Sequence, residues 1–87
     1  MGKVKKYRAK VEVRLKSGYL DPEGESAKKA LIDLKYPVGR VSTAKVYEIE
    51  FAASGLRKAW MVVEEMCKKL LANPVKDDYS FEVEEIR

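Results

Sequence analysis

The chain has 87 residues, a length that fits one domain with a small core, and a formal charge of +4 that leaves a polyanionic partner possible. One cysteine and no histidine exclude an internal disulfide and remove the commonest general base and metal ligand. No stretch approaches the roughly 20 apolar residues that cross a bilayer, and the basic start lacks the apolar run of a signal peptide. We therefore expect a single cytoplasmic domain over residues 1–87, with a loose N-terminus at residues 1–5 and no membrane partner.

The first predicted element is a strand from Tyr7 to Leu15, in which apolar and charged residues alternate strictly. A helix should begin at Asp21-Pro22, where a capping carboxylate precedes a proline at the first helical position. It should end near Lys35, and its apolar residues recur at the spacing of a stripe that faces a core. That stripe comprises Ala27, Ala30, Leu31 and Leu34.

The second half of the chain repeats the pattern. A strand is expected from Arg40 to Ala44, and a stronger one runs from Lys45 to Phe51. Ser54 can cap a second helix with a broad apolar stripe, which Asn73-Pro74 ends. The last predicted strand runs from Tyr79 to Glu84, because apolar and polar residues alternate there.

The order strand, helix, two strands, helix, strand predicts an α+β fold of ferredoxin-like (βαββαβ) topology. We expect a four-stranded antiparallel sheet with both helices on one face. On the uncovered face, Glu48 and Glu50 of the third strand should lie near four basic residues of the first: Arg8, Lys10, Arg14 and Lys16.

No residue pattern indicates catalysis. Cys67 lies on the apolar stripe of the second helix, where a thiol is more often inert core than nucleophile. Gly24 in the first helical turn costs up to about 1 kcal/mol relative to alanine, so either close packing requires it or the helix start tolerates it. We predict no catalytic, cofactor-binding or metal-binding residue.

The order of the predicted strands and helices alone also fits two other functions, that of a nucleic-acid-binding module and that of a ligand-sensing module. RNA-recognition domains of this topology stack bases on aromatic residues of the central strands. Here the open face of the third strand presents Glu48 and Glu50, while Tyr47 and Phe51 face the helices, so we expect no nucleic acid partner.

Two proline-bearing segments carry a resemblance to a known family. Residues 15–24 read Leu-Lys-Ser-Gly-Tyr-Leu-Asp-Pro-Glu-Gly, and residues 66–75 read Met-Cys-Lys-Lys-Leu-Leu-Ala-Asn-Pro-Val. With Ala30-Leu31 and Tyr79, they resemble the PurS family, the small subunit of phosphoribosylformylglycinamidine (FGAM) synthase, from Val11 to Ile86. The family usually has Gly where this chain has Lys35 and often has Gly where it has Ala44, so we expect Pro37 and Gly39 to end the first helix.

The resemblance implies a non-catalytic subunit in purine biosynthesis, within a ligase complex that converts FGAR to FGAM. PurS proteins act as dimers that bridge a PurL-type synthetase and a PurQ-type glutaminase and are thought to assist ammonia transfer. The resemblance also implies that ATP, Mg and glutamine are used by those partners, so this chain would bind no cofactor.

A bridging subunit needs contact surface, and proline-fixed segments lose little entropy on docking. The predicted partner-contact residues come from the two segments: Lys16, Gly18, Leu20, Asp21, Pro22, Gly24, Asn73, Pro74 and Val75. The alternative is that Asp21, Pro22, Asn73 and Pro74 merely cap helices. We expect a homodimer or a higher homo-oligomer, in which the open sheet face or an unpaired edge strand forms the dimer contact.

Overall fold

The computed structural model describes residues 3–87, which form three strands and two helices. In chain order these are β1 (Lys5–Leu15), α1 (Pro22–Asp33), β2 (Lys45–Ala53), α2 (Leu56–Met66), a π-helical turn (Cys67–Leu71) and β3 (Asp77–Glu85). Of the predicted loose segment, residues 1–2 lie outside the described residues, and Lys5 already belongs to β1.

The sheet is antiparallel, with β1 in the centre and the order β2-β1-β3. Its inner face is buried along β1 because every second side chain there is apolar, and α2 covers that face. Trp60 of α2 packs on Phe81 of β3 with ring centroids 5.1 Å apart. The core consists of Ala9, Val11, Val13, Val63, Cys67 and Ala72.

The predicted four-stranded sheet is wrong, because the sheet has three strands and residues 40–44 form none. The sequence itself gives the reason. Ala44 is followed directly by β2, so no residue is left for the reversal that two hairpin-paired strands require, which takes at least about two residues. The segment instead runs beside the start of α1, where Thr43 is hydrogen-bonded to Asp21.

The predicted position of α1 beside α2 is also wrong. Among the described residues, α1 makes no substantial contact with any strand, and only Gly24 of this helix is buried. The chain from residue 16 to residue 44, here called the arm, leaves the sheet at the end of β1 and returns at the start of β2. The molecule is accordingly elongated, 60 × 29 × 14 Å, and its radius of gyration of 17.2 Å exceeds the roughly 12 Å of a compact domain of this length.

The end of α1 and the start of α2 both differ from the prediction, and each difference has a local explanation. Lys35 itself adopts the left-handed conformation at φ 74°, while Tyr36 N–H donates to Leu31 C=O and Lys35 N–H donates to Ile32 C=O. This is the Schellman arrangement usually completed by glycine, so the expectation that Pro37 and Gly39 would end the helix is wrong. Ser54 does not cap α2 either, since its N-cap is Gly55 without a side-chain hydrogen bond.

Candidate functional site

The two proline-bearing segments meet at one end of the sheet. Lys16 N–H donates to the Lys76 carbonyl at 2.7 Å, and the Tyr19 hydroxyl donates to the Val75 carbonyl at 3.3 Å. Residues 16–24 and 73–76 therefore form one continuous surface, here called the junction surface. All nine predicted partner-contact residues lie within it.

The first segment turns sharply at Gly18, whose φ of 94° is a conformation that side chains rarely adopt. Tyr19 N–H donates to the Lys16 carbonyl across this turn at 3.2 Å. The turn leaves Leu20 with 75% of its surface exposed. An apolar side chain is thus presented to solvent beside a bonded, rigid backbone.

Asp21 joins the two ends of the arm by hydrogen bonds. Its carboxylate accepts hydrogen bonds from the Gly24 N–H at 2.9 Å, the Thr43 N–H at 2.7 Å and the Thr43 hydroxyl at 3.0 Å. These bonds, the one from Gly24 foremost, hold the pKa of Asp21 below its ordinary value because they favour the ionised form. Asp21 and Pro22, which occupies the first helical position, therefore have the capping role that was the alternative to partner contact.

Gly24 is required by close packing, which decides between the two explanations of its place in the helix. A Cβ at this position would stand 2.5 Å from the Val41 carbonyl oxygen. Only a residue without a side chain lets the returning segment of the arm approach α1 so closely. Gly24 is buried and is not available to a partner.

The second segment is built around Asn73. Its side-chain oxygen accepts from the Val75 N–H at 2.9 Å, and its own N–H donates to the Asp77 carboxylate at 2.9 Å. Asn73 thus forms the turn into β3 while its side chain remains exposed. Pro74 is exposed, and Val75 has 69% of its surface exposed.

The exposed part of the junction surface combines apolar and polar residues. Its apolar members are Tyr19, Leu20, Pro22, Pro74 and Val75, and the polar residues Ser17, Glu23, Asn73 and Lys76 are exposed beside them, while Asp21 is half-buried and Gly24 is buried. Exposed apolar groups on a bonded backbone suit protein contact, because docking buries them with little loss of conformational entropy.

A cavity of 540 Å³ lies between the base of the arm and the adjoining end of the sheet. Three cationic and two anionic side chains line it, and none of them was predicted as a site residue: Arg14, Lys45, Lys76, Glu23 and Asp77. Only the topology of the arm brings these residues together, so no local pattern could have indicated them. Thr43 was missed for the same reason.

The outer face of the sheet carries ordered rows of charge. Arg8 lies between Glu50, at 3.0 Å, and Glu84, at 3.8 Å, and Lys10 is in register with Glu48. The predicted placement beside Glu48 and Glu50 is confirmed for Arg8 and Lys10 but wrong for Arg14 and Lys16, because the pairing of β1 with β2 ends at Val13, Arg14 lies opposite Asp78 of β3 and Lys16 lies outside β1. The Glu50 hydrogen bond raises the pKa of Arg8 above its ordinary value.

Within residues 3–87, no three His, Cys, Asp or Glu side chains come close enough together to hold a metal ion. Cys67 is buried in the core, where burial, with a smaller contribution from Glu64, raises the pKa of its thiol. In the same residues, no helix combines the length and the apolar character needed to cross a membrane.

Comparison with known proteins agrees with this description. The family model described as PurS, phosphoribosylformylglycinamidine (FGAM) synthase, matches residues 8–85. The PurS subunit of that synthase from Methanocaldococcus jannaschii is 46% identical over 81 residues, which are 92% of this chain and 98% of the relative.

Solved structures agree as well. Thermus thermophilus PurS matches with a TM-score of 0.85 and 40% identity, covering 94% of this chain and 99% of the other. A chain of the PurLQS structure from Thermotoga maritima matches with a TM-score of 0.79 and 32% identity, covering 93% and 98%.

Proposed function

The chain belongs to the PurS family and is thus a subunit of FGAM synthase, a ligase of purine biosynthesis, and we propose that it bridges the other two subunits through its junction surface. Its partners would be the PurL-type synthetase and the PurQ-type glutaminase, as the PurLQS complex of Thermotoga maritima suggests. The chain itself would contribute no reacting group. ATP, Mg and glutamine would be used by the partners, in the cytoplasm.

The observation that carries the proposal is the union of the two segments in one surface that exposes apolar side chains. Leu20 and Val75 stand more than two-thirds exposed on backbone that hydrogen bonds hold in place. Such groups are unfavourable in water and favourable at a protein interface, where aromatic and aliphatic anchors dominate the binding energy.

A bridging subunit of this kind would assist ammonia transfer by fixing the position of the two partner subunits relative to each other. The glutaminase releases ammonia at one site and the synthetase consumes it at another, so a subunit that fixes their relative orientation limits its escape into solvent. We further propose that the chain does this as a homodimer, because a single copy leaves much apolar surface uncovered.

The test is capture of both partners by tagged protein, with glutamine and ADP-Mg present, comparing Leu20→Asp and Val75→Asp with the parent. Both variants should lose the partners, while Val46→Asp, which changes an exposed valine on the outer sheet face, should keep them. Reconstituted synthase containing Leu20→Asp should lose glutamine-dependent FGAM formation far more than ammonia-dependent formation. Capture by both junction variants equal to that by Val46→Asp would refute the proposed contact surface.

A further inference from the structure

The cavity at the base of the arm combines apolar and charged lining residues. Val13, Leu15 and Leu71 form the apolar part. Leu71 belongs to the π-helical turn, in which the Ala72 N–H donates to the Cys67 carbonyl at 3.0 Å, and such turns occur frequently at functional sites. The volume of 540 Å³ falls within the range of about 300–1,000 Å³ that is common for ligand pockets.

Two of the five charged side chains in this lining already have partners within the chain. Arg14 forms a salt bridge with Glu12. The Asp77 carboxylate accepts a hydrogen bond from the Asn73 N–H at 2.9 Å. Their charges are therefore partly balanced by the fold itself.

The other three charged side chains, those of Lys45, Lys76 and Glu23, are exposed. Within residues 3–87, none of the three takes part in a salt bridge. Two ammonium groups and one carboxylate thus leave the unpaired charge of the cavity positive. Positive charge that converges on a concave site raises the local concentration of anions.

The two lysines lie on opposite sides of the central strand. Lys45 begins β2 and is in register with Val13 of β1, whereas Lys76 directly precedes β3, and β1 separates β2 from β3. Lys45 also follows the arm directly, and the Lys76 carbonyl accepts the Lys16 N–H at the start of the arm. An anion between the two lysines would therefore be held from both sides and would connect the two ends of the arm.

We propose that the cavity binds a small organic phosphate, with the phosphate group between Lys45 and Lys76 and the organic part against Val13, Leu15 and Leu71. A phosphate ester carries close to two negative charges near neutral pH, so it can pair with both lysines, whereas a carboxylate carries one. Lysine binds phosphate as a point charge. The cavity has room for more than the phosphate group, and its apolar residues favour a ligand with an apolar part.

The test is a titration of isotope-labelled protein with phenyl phosphate at constant ionic strength, followed by the amide resonances. Saturable shifts should concentrate at residues 43–45, 71 and 76–77, which line the cavity. Replacing both lysines, Lys45→Gln with Lys76→Gln, should weaken binding by about tenfold or more. Lys58→Gln is the matched control, because it removes the same charge from an exposed lysine of α2 outside the cavity and should leave the affinity unchanged.

Two further variants separate charge from folding. Lys45→Arg with Lys76→Arg keeps both positive charges and should retain binding. Glu23→Gln removes a carboxylate that repels the ligand and should strengthen binding by about two- to fivefold. Equal affinities of the parent, the double glutamine variant and Glu23→Gln would overturn the inference, and so would the absence of saturable shifts in the parent.

Two other ligands test the chemical class. Benzoate has the same ring with a single negative charge, and inorganic phosphate has the charge without the ring, so both should bind more weakly than phenyl phosphate. Benzoate that binds as tightly would overturn the assignment to phosphate. Inorganic phosphate that binds as tightly would overturn the role of the apolar residues.

Amide hydrogen exchange of α1 gives a second measurement, because Lys45 and Lys76 lie at the two ends of the arm. Phenyl phosphate at about ten times its dissociation constant should slow this exchange by about tenfold in the parent, but not in the double glutamine variant. Unchanged exchange in the parent would place the ligand away from the arm and would overturn the inference. Both measurements use the chain alone, so ligand binding and the bridging of partner subunits can fail separately.

Discussion

Replacing Gly24 by alanine tests whether the two limbs of the arm are packed as described. In an ordinary helix the change stabilises by about 0.5–1 kcal/mol, because alanine has the higher helix propensity. Here the added Cβ would stand 2.5 Å from the Val41 carbonyl oxygen, where a carbon and an oxygen normally stay about 3.3 Å apart. Val41 would have to retreat by roughly 0.8 Å, and overpacking of this kind costs about 1–3 kcal/mol. The net effect should be destabilisation of the arm by about 1–2 kcal/mol.

Amide hydrogen exchange of α1 is the assay, since it reports opening of the arm even where the sheet stays folded. A loss of 1–2 kcal/mol should speed exchange of the α1 amides roughly 5- to 30-fold, with the β1 amides much less affected. Gly39→Ala is the matched control, because no heavy atom lies within 4 Å of its added Cβ. Exchange in Gly24→Ala that is no faster than in the parent would refute the close approach of Val41.

Three further predictions follow from single residues. The pKa of Asp21 is lower in the folded chain than in the unfolded one, so its contribution to the stability of the arm is complete above the unfolded value near 4 and is lost as pH falls through the folded value. The α1 amides should therefore exchange faster at that low pH. Asp21→Asn should make α1 exchange depend less on pH. Lys35→Gly should raise the unfolding free energy of the arm by up to about 1 kcal/mol, because Lys35 holds a left-handed conformation that glycine adopts without steric cost; unchanged α1 exchange would contradict this. Cys67 should react with an aromatic disulfide reagent only slowly until denaturant is added, since burial limits access and raises its thiol pKa, and rapid labelling of native protein would show the core to be open.

Most elements could be predicted because their signals are local. Strict alternation in β1 marks a strand with one buried face, and Asp21-Pro22 marks a helix start, and both are found where expected. The prediction of a fourth strand was wrong, and the reason for this is also local in the sequence. Residues 40–44 have strand-like composition, yet they run straight into β2 with no residue to turn, and composition alone does not weigh that constraint.

The junction surface could be predicted only in part. The two segments were recognisable as motifs, but their union depends on the bond from Lys16 to Lys76, which joins residues 60 positions apart. Hydrogen bonds also determine which residues of this surface hold the backbone and which are free to contact a partner. The carboxylate of Asp21 and the side-chain oxygen of Asn73 accept hydrogen bonds from the backbone, while Leu20 and Val75 stay exposed. Capping and contact are therefore not competing explanations of these segments, because capping residues hold the apolar ones outward.

The apolar stripe of α1 shows what periodicity does and does not specify. A stripe at helical spacing indicates that one side of a helix is buried, because an exposed one would lose the packing that stabilises it. It does not say which chain supplies the cover. In this protein Leu34 is exposed and, within residues 3–87, α1 makes no substantial contact with the sheet of its own chain, so the stripe predicts a compact single-chain sandwich that the structure does not have. The error about the position of α1 has a local cause: the stripe was assigned to the sheet of the same chain, whereas the hydrogen bonds from Thr43 to Asp21 hold the start of α1 beside the returning segment of the arm.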